Sequence, residues 1–170
     1  RIMYTSATVA PYSCSPIPTF WFPDMKCKEL TVEDIAFITD KVGYSAKLAK
    51  DAGADAIEMH AYGSYLADQF MTEAFNHRTD KYGGSLENRI RFAVEIVEEI
   101  KAQCGRDYPV VMRYSSKSFM KGFGEGALPG ETFEEFGRDM DEGMEIAALL
   151  EKAGYDALDA DVGCYDAWYW

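Results

Sequence analysis

Histidine is scarce in this chain, two in 170 residues, and basic side chains are outnumbered, with 17 Lys and Arg against 29 Asp and Glu. The resulting net charge of −12 excludes a nucleic-acid surface, which needs clustered Lys and Arg against phosphate. It argues equally against docking on an anionic membrane. No run of about 18 apolar residues occurs, so no segment reads as a membrane-spanning helix. The four cysteines, Cys14, Cys27, Cys104 and Cys164, include no CxxC pair and frame no zinc or iron–sulfur site, so no metal site is expected. Scattered single thiols of this kind suit a reducing compartment, and the expected localisation is cytoplasmic. A starting methionine is missing too, and Trp168-Tyr169-Trp170 closes the chain without a polar tail. The expectation is a piece of a longer protein.

What is present is enough for a core: 48% of the chain is hydrophobic and 14% of it is aromatic. A period organises it. Leu48-Ala-Lys-Asp-Ala-Gly53-Ala-Asp-Ala-Ile-Glu58 is echoed by Leu149-Leu-Glu-Lys-Ala-Gly154-Tyr-Asp-Ala-Leu-Asp159, with a related stretch around Gly105 between them. The glycines lie 52 (105 − 53) and 49 (154 − 105) residues apart. Each follows an amphipathic stretch and precedes a short apolar run. Glycine suits the position just past a helix because it takes φ > 0 without a Cβ penalty.

Thr31 and Asp34 form a capping start for a helix with Ile35, Ile38, Val42, Ala46 and Ala49 on one face. Ser85 caps the next, with Leu86, Ile90, Ala93, Val97 and Ile100 aligned. A third is expected over residues 132–152, and the acidic run 134–142 within it reads as a solvated helical face. Strands follow the glycines at residues 56–60, 110–113 and 157–162. Residues 117–129, rich in glycine, read as a flexible loop over the strand ends. Helix–Gly–strand three times over means parallel βα units, in either a (β/α)8 barrel or a doubly wound open sheet. A barrel needs about 250 residues, so this chain would supply under half of one.

Each strand ends in residues a core has no use for: His60, then Arg113, then the run Asp161-Val-Gly-Cys-Tyr-Asp166. In parallel βα architectures the carboxyl ends of the strands carry the site. His60 and Arg113 on equivalent strand ends would stand roughly 10 Å apart, counting strand spacings of about 4.8 Å. That pair suits a planar, electron-rich ligand needing one hydrogen-bonding group and one fixed positive charge. Arg113 also has a purely structural reading, as an ion pair with Glu58 or Asp159, and His60 one as a hydrogen-bonded structural histidine. Tyr65, five residues after His60, can reach back over the strand end and donate a proton.

The pattern His60-x-x-x-x-Tyr65-Leu66-x-Asp-Gln69-Phe70, followed by Asn76-x-Arg78-x-Asp80-x-Tyr82-Gly83-Gly84-Ser85-x-x-Asn88-Arg89, resembles the signature of the old yellow enzyme family of flavin oxidoreductases. The strand Val-Val-Met-Arg113 fits the same family. Phe20-Trp21-Phe22-Pro23 and the closing residues from Asp161 to Trp170 look closest to its 2-enoate reductase, dienoyl-CoA reductase and bile-acid-dehydroxylation branch.

The resemblance implies that the whole chain is a fragment, about three βα units, of a single FMN-binding (β/α)8 TIM barrel domain. The enzyme would move a hydride from NAD(P)H through FMN onto an activated C=C bond of a small unsaturated molecule, such as an enoate, enone or enoyl-CoA. His60 matches the residue that hydrogen-bonds substrate above the flavin, and Tyr65 the proton donor to the substrate carbon. Arg113 matches the arginine at the flavin's pyrimidine edge. The 78–89 stretch matches a structural loop. Gly63 departs from the pattern, since the family often has His or Asn there; either Tyr62 beside it compensates, or the substrate is held differently, as in the acyl-CoA-type branch.

The branch often carries an iron–sulfur segment and a second nucleotide-binding domain downstream. These 170 residues alone are accordingly expected to be inactive and not to retain FMN tightly. Two other functions fit the same motifs: an amine dehydrogenase or demethylase of the same flavin barrel, and a non-catalytic barrel remnant.

Overall fold

Three helix–Gly–strand repeats form where the glycine spacing puts them. The computed structural model describes residues 9–167; the opening Arg1 and the closing Trp168-Tyr169-Trp170 lie outside these. In chain order the elements are β1 (Tyr12–Ser13), β2 (Lys28–Glu29), α1 (Val32–Asp51), β3 (Ile57–Ala61), α2 (Leu66–Met71), α3 (Leu86–Arg89), α4 (Arg91–Cys104), β4 (Val110–Ser115), β5 (Met120–Gly122), β6 (Glu125–Gly126), α5 (Met140–Ala153) and β7 (Ala157–Asp161), closed by a 3-10 turn at Tyr165–Ala167. Thr31 and Asp34 make the expected reciprocal cap on α1, the hydroxyl accepting from Asp34 N at 3.1 Å and the carboxylate from Thr31 N at 3.0 Å. Gly53, Gly105 and Gly154 take φ of 97°, 98° and 115°, so all three use the backbone freedom that placed them there.

The main sheet is parallel, in the order β3-β4-β7. Helix α1 packs on α4 and α4 on α5, so all three long helices share one face. Strands in sequential order with helices on one face make a singly wound arc of a (β/α)8 barrel and exclude the doubly wound alternative. Val110, Met112 and Tyr114 of β4 face those helices and are buried with Ile35 of α1, Phe92, Ile96 and Ile100 of α4, and Ile146 and Leu150 of α5. Each such side chain contributes about 1.5–3 kcal/mol by leaving water.

Four local expectations need correction. The helix expected from Ser85 is interrupted at Ile90, which ends α3 and begins α4; Ser85 sits at the N-cap but makes no side-chain cap bond. The break coincides with Arg89, which is buried and turned onto Glu142 and Glu73. Helix α5 begins at Met140, not near residue 132, and Asp139 caps it by accepting from Glu142 N at 2.9 Å. Residues 132–139 form a strap instead: Glu135 accepts backbone N–H bonds from Phe119, Met120 and Gly137. The acidic run is therefore partly internal, a backbone cap at Glu135 and an ion pair at Glu142. The loop read as flexible contains the antiparallel hairpin β5–β6, which packs on the 3-10 turn.

The 78–89 loop is structural, as expected. Arg78 grips Asp80 through Nε at 3.0 Å and donates to the carbonyls of Cys14 at 3.0 Å and Leu30 at 2.7 Å, while Asn76 bridges the carbonyls of Phe70 and Tyr82. A further buried cation went unnoticed in the sequence. Arg138, fully buried, pairs with Asp68 at 3.0 Å, donates to Thr72 Oγ1 at 2.7 Å and also bonds the carbonyl of Ser115 at the end of β4. It joins the start of α5 to α2 and to the central strand.

Removing one member of such a pair leaves a buried charge unmatched. Arg138→Met is expected to lose about 3–5 kcal/mol in urea unfolding, and the double variant Asp68→Leu/Arg138→Met distinctly less. All four cysteines are buried thiols, and burial pushes those of Cys14 and Cys164 up to about 12. A disulfide reagent at pH 8 should leave these two unlabelled until denaturant is added; rapid labelling of the native protein would contradict their burial.

Candidate active site

The face of the sheet away from the helices carries Glu58 and His60 of β3, Val111, Arg113 and Ser115 of β4, and Asp159 and Asp161 of β7, because alternate residues of a strand point to opposite sides. Register sharpens this. His60 pairs with Arg113 and Arg113 with Asp159, so the three lie on one rung across the sheet. The two strand ends expected about 10 Å apart are direct neighbours, one strand spacing of about 4.8 Å.

The guanidinium of Arg113 donates from Nε to Asp161 at 2.5 Å and lies 3.7 Å from Asp159. Of the two structural partners expected, Asp159 is a weaker neighbour and Glu58 forms no ion pair with Arg113; Asp161, one rung on, is the principal one. That bond, with the carboxylate charges behind it, holds the pKa of Arg113 above its usual value. The cation also sits over the ring of Tyr62 at 5.1 Å, so Tyr62 is engaged in holding Arg113. Burial first, then the charge of Asp161, raises the Tyr62 pKa. Among the described residues the two Nη groups of Arg113 and both ring nitrogens of His60 have no hydrogen-bond partner.

Past β3 the chain turns sharply. Gly63 and Ser64 take φ of 71° and 63°, two left-handed residues in succession. Leaving that turn, Tyr65 becomes the N-cap of α2, and its ring returns edge-on to His60, 4.8 Å between centroids at 77°. The turn is pinned beneath: Asp68 accepts from Ser64 N at 2.8 Å, and Gln69 donates to the Ser64 carbonyl while accepting from Ser13 at 2.6 Å. Burial pushes the Asp68 carboxyl up, with Arg138 and the Ser64 N–H opposing the rise.

His60, Tyr65 and Arg113 are thus brought together at the carboxyl ends of two adjacent strands. Sequence reasoning missed Tyr165, which opens the 3-10 turn after β7. Its hydroxyl is 3.4 Å from that of Tyr65, its ring 5.8 Å from the Tyr65 ring, and Phe20 lies 5.9 Å away on another side. The signal was the strand-end run after Asp161, which marked the place without singling out the residue. No group of three or more His, Cys, Asp or Glu that could hold a metal ion occurs among the described residues.

A flavin fits this donor set. Its pyrimidine edge is a row of acceptors beside one N–H, groups that the Nη donors of Arg113 and the ring nitrogens of His60 complement chemically.

The family model for NADH:flavin oxidoreductase / NADH oxidase matches residues 14–158. Cinnamate reductase of Clostridium sporogenes is 56% identical over 157 residues, 92% of this chain and 24% of that protein. Among solved structures, a 2-naphthoyl-CoA reductase in complex with 2-naphthoyl-CoA superposes with a TM-score of 0.78 at 32% identity, covering 93% of this chain and 22% of that one. Histamine dehydrogenase from Rhizobium sp. 4-9 gives 0.75 at 31% identity, covering 93% and 21%. The chain spans about a quarter of the length of the curated relatives it matches, 24% and 22% for the first two. With the family model matched over most of its length and the arc, its glycines and its strand-end residues all in place, the chain belongs to the NADH:flavin oxidoreductase / NADH oxidase family, the old yellow enzymes.

Proposed function

We propose that the protein containing this chain is an ene-reductase, an FMN-dependent oxidoreductase that uses NAD(P)H to saturate an activated C=C bond of a small enoate, enone or enoyl-CoA. In this reading residues 1–170 belong to a single FMN-binding barrel domain, and the protein is cytoplasmic, in keeping with its reduced, buried thiols. When bound, FMN supplies a two-electron carrier between the nicotinamide and the alkene. The observation that carries the proposal is the edge-on pair of His60 and Tyr65 beside Arg113 on the rung of His60. Relatives named cinnamate reductase and 2-naphthoyl-CoA reductase support the substrate class.

Each side chain has a task that its position allows. Arg113, held in one orientation by Asp161 and Asp159, would hold the pyrimidine edge of FMN and supply positive charge to its reduced form. His60 donates a hydrogen bond to the carbonyl or carboxylate that activates the alkene. Tyr65 protonates one alkene carbon while the other receives hydride. A proton donor is of no use to an amine dehydrogenase, which removes hydride and adds no proton to carbon; a tyrosine so carefully aimed favours alkene reduction.

Tyr65→Phe in the whole holoprotein should slow reoxidation by an enoate by about two to four orders of magnitude while reduction by NAD(P)H is unchanged. Rapid-mixing measurements of both half-reactions decide it; equal loss in both removes Tyr65 as proton donor. Arg113→Met should lower FMN content on purification or its midpoint potential by spectroelectrochemistry. If neither moves, Arg113 has no part in the cofactor site.

A further inference from the structure

We propose that Tyr165 is a positioning residue for Tyr65, orienting its hydroxyl and returning a proton to it after each transfer. The inference rests on reading Tyr65 as the proton donor. The phenol oxygens are 3.4 Å apart, a weak hydrogen bond as it stands and one that tightens when either oxygen gains charge. Nothing about ring packing alone requires two hydroxyls to meet, since edge-on aromatic contact at 5.8 Å is satisfied with the oxygens in many directions.

The surroundings fix Tyr165 for this task. Its ring lies against Gly63, where an added Cβ would sit 3.6 Å from Cε2, so the ring rests in van der Waals reach of the turn that carries Tyr65. Phe20 flanks it at 5.9 Å. The next residue, Asp166, is fully buried and accepts from Gly124 N at 2.9 Å and Ser64 Oγ at 3.4 Å. That carboxylate ties the 3-10 turn bearing Tyr165 to the turn bearing Tyr65. Both tyrosines are only half-buried, which leaves a route for water to Tyr165.

The chemistry balances. As the Tyr65 O–H bond breaks, its electron pair stays on the phenol oxygen and the proton forms the new C–H bond; the partner carbon receives hydride. The Tyr165 hydroxyl then faces a phenolate, and a hydrogen bond to the charged form stabilises the transition state leading to it. Tyr165 passes its own proton to Tyr65 and takes one from water, restoring both side chains. The position left bare at Gly63 is thereby served from another strand end.

The test uses the whole holoprotein with trans-cinnamate as probe, following reoxidation after anaerobic reduction by NADH. Tyr165→Phe, which removes one oxygen and keeps the ring, should slow reoxidation about tenfold, the size expected of one charge-assisted hydrogen bond. Calorimetric Kd for cinnamate on the oxidised protein should stay within about twofold, because the hydroxyl acts on the transition state. In a double-mutant cycle, Tyr65→Phe/Tyr165→Phe should be no slower than Tyr65→Phe alone. The inference falls if Tyr165→Phe reoxidises at the unaltered rate, if the same tenfold loss persists on the Tyr65→Phe background, or if a weakened Kd accounts for the whole loss. A Tyr65→Phe protein that reoxidises normally brings down the proton-donor reading and this one with it, an outcome distinct from failure of Tyr165 alone.

Discussion

The buried ion pair of Asp68 and Arg138 holds the working end of this arc together. Arg138 precedes α5, Asp68 lies in the first turn of α2, and the same guanidinium reaches the last carbonyl of β4. Asp68 in turn accepts the N–H of Ser64, inside the left-handed turn that aims Tyr65. Three segments far apart in sequence thus converge on one charge pair, and the orientation of a side chain at the mouth is set by contacts beneath it. Buried pairs are a costly way to gain stability, because desolvation offsets much of the attraction. Their strength lies in geometry: a guanidinium with carboxylate, hydroxyl and carbonyl partners accepts few arrangements.

The second constraint is the ladder. In a parallel sheet the register fixes which side chains stand beside one another, so His60, Arg113 and Asp159 share a rung regardless of how the helices behind them settle. Asp161, one rung further, then holds the guanidinium from the side. The polar row therefore needs no loop to assemble it. Loops supply only the tyrosines, each carried in from a turn that follows its strand.

Much of this was legible in the chain. The three glycines announced the repeat because helix ends need a left-handed residue there, and polar residues at the ends of apolar runs announced the mouth. His60, Tyr65 and Arg113 were singled out from those runs and their spacing, and the fold brings the three side by side. What the sequence withheld was partnership. Nothing local distinguishes Arg138 from the acidic residues around it, and the apolar spacing that continued back through Phe136 suggested a longer helix. In the fold, Phe136 instead meets Phe123 of the hairpin at 5.4 Å, a tertiary contact no period encodes. Asp161 as the partner of Arg113, and Tyr165 beside Tyr65, depend likewise on which strands are neighbours.

The two left-handed residues at Gly63 and Ser64 give the mouth a mechanical gearing. Helix α2 is only six residues long and is clamped through Asp68, so the turn before it has one permitted length. Adding a single residue there would swing α2 by about 100° about its axis, taking Asp68 off Arg138 as it took Tyr65 off His60. The span from Ala61 to Asp68 can thus change only by substitution, never by insertion. Change at the strand ends is left to side chains outside that span, such as the exposed Val162, which can be replaced without disturbing the clamp.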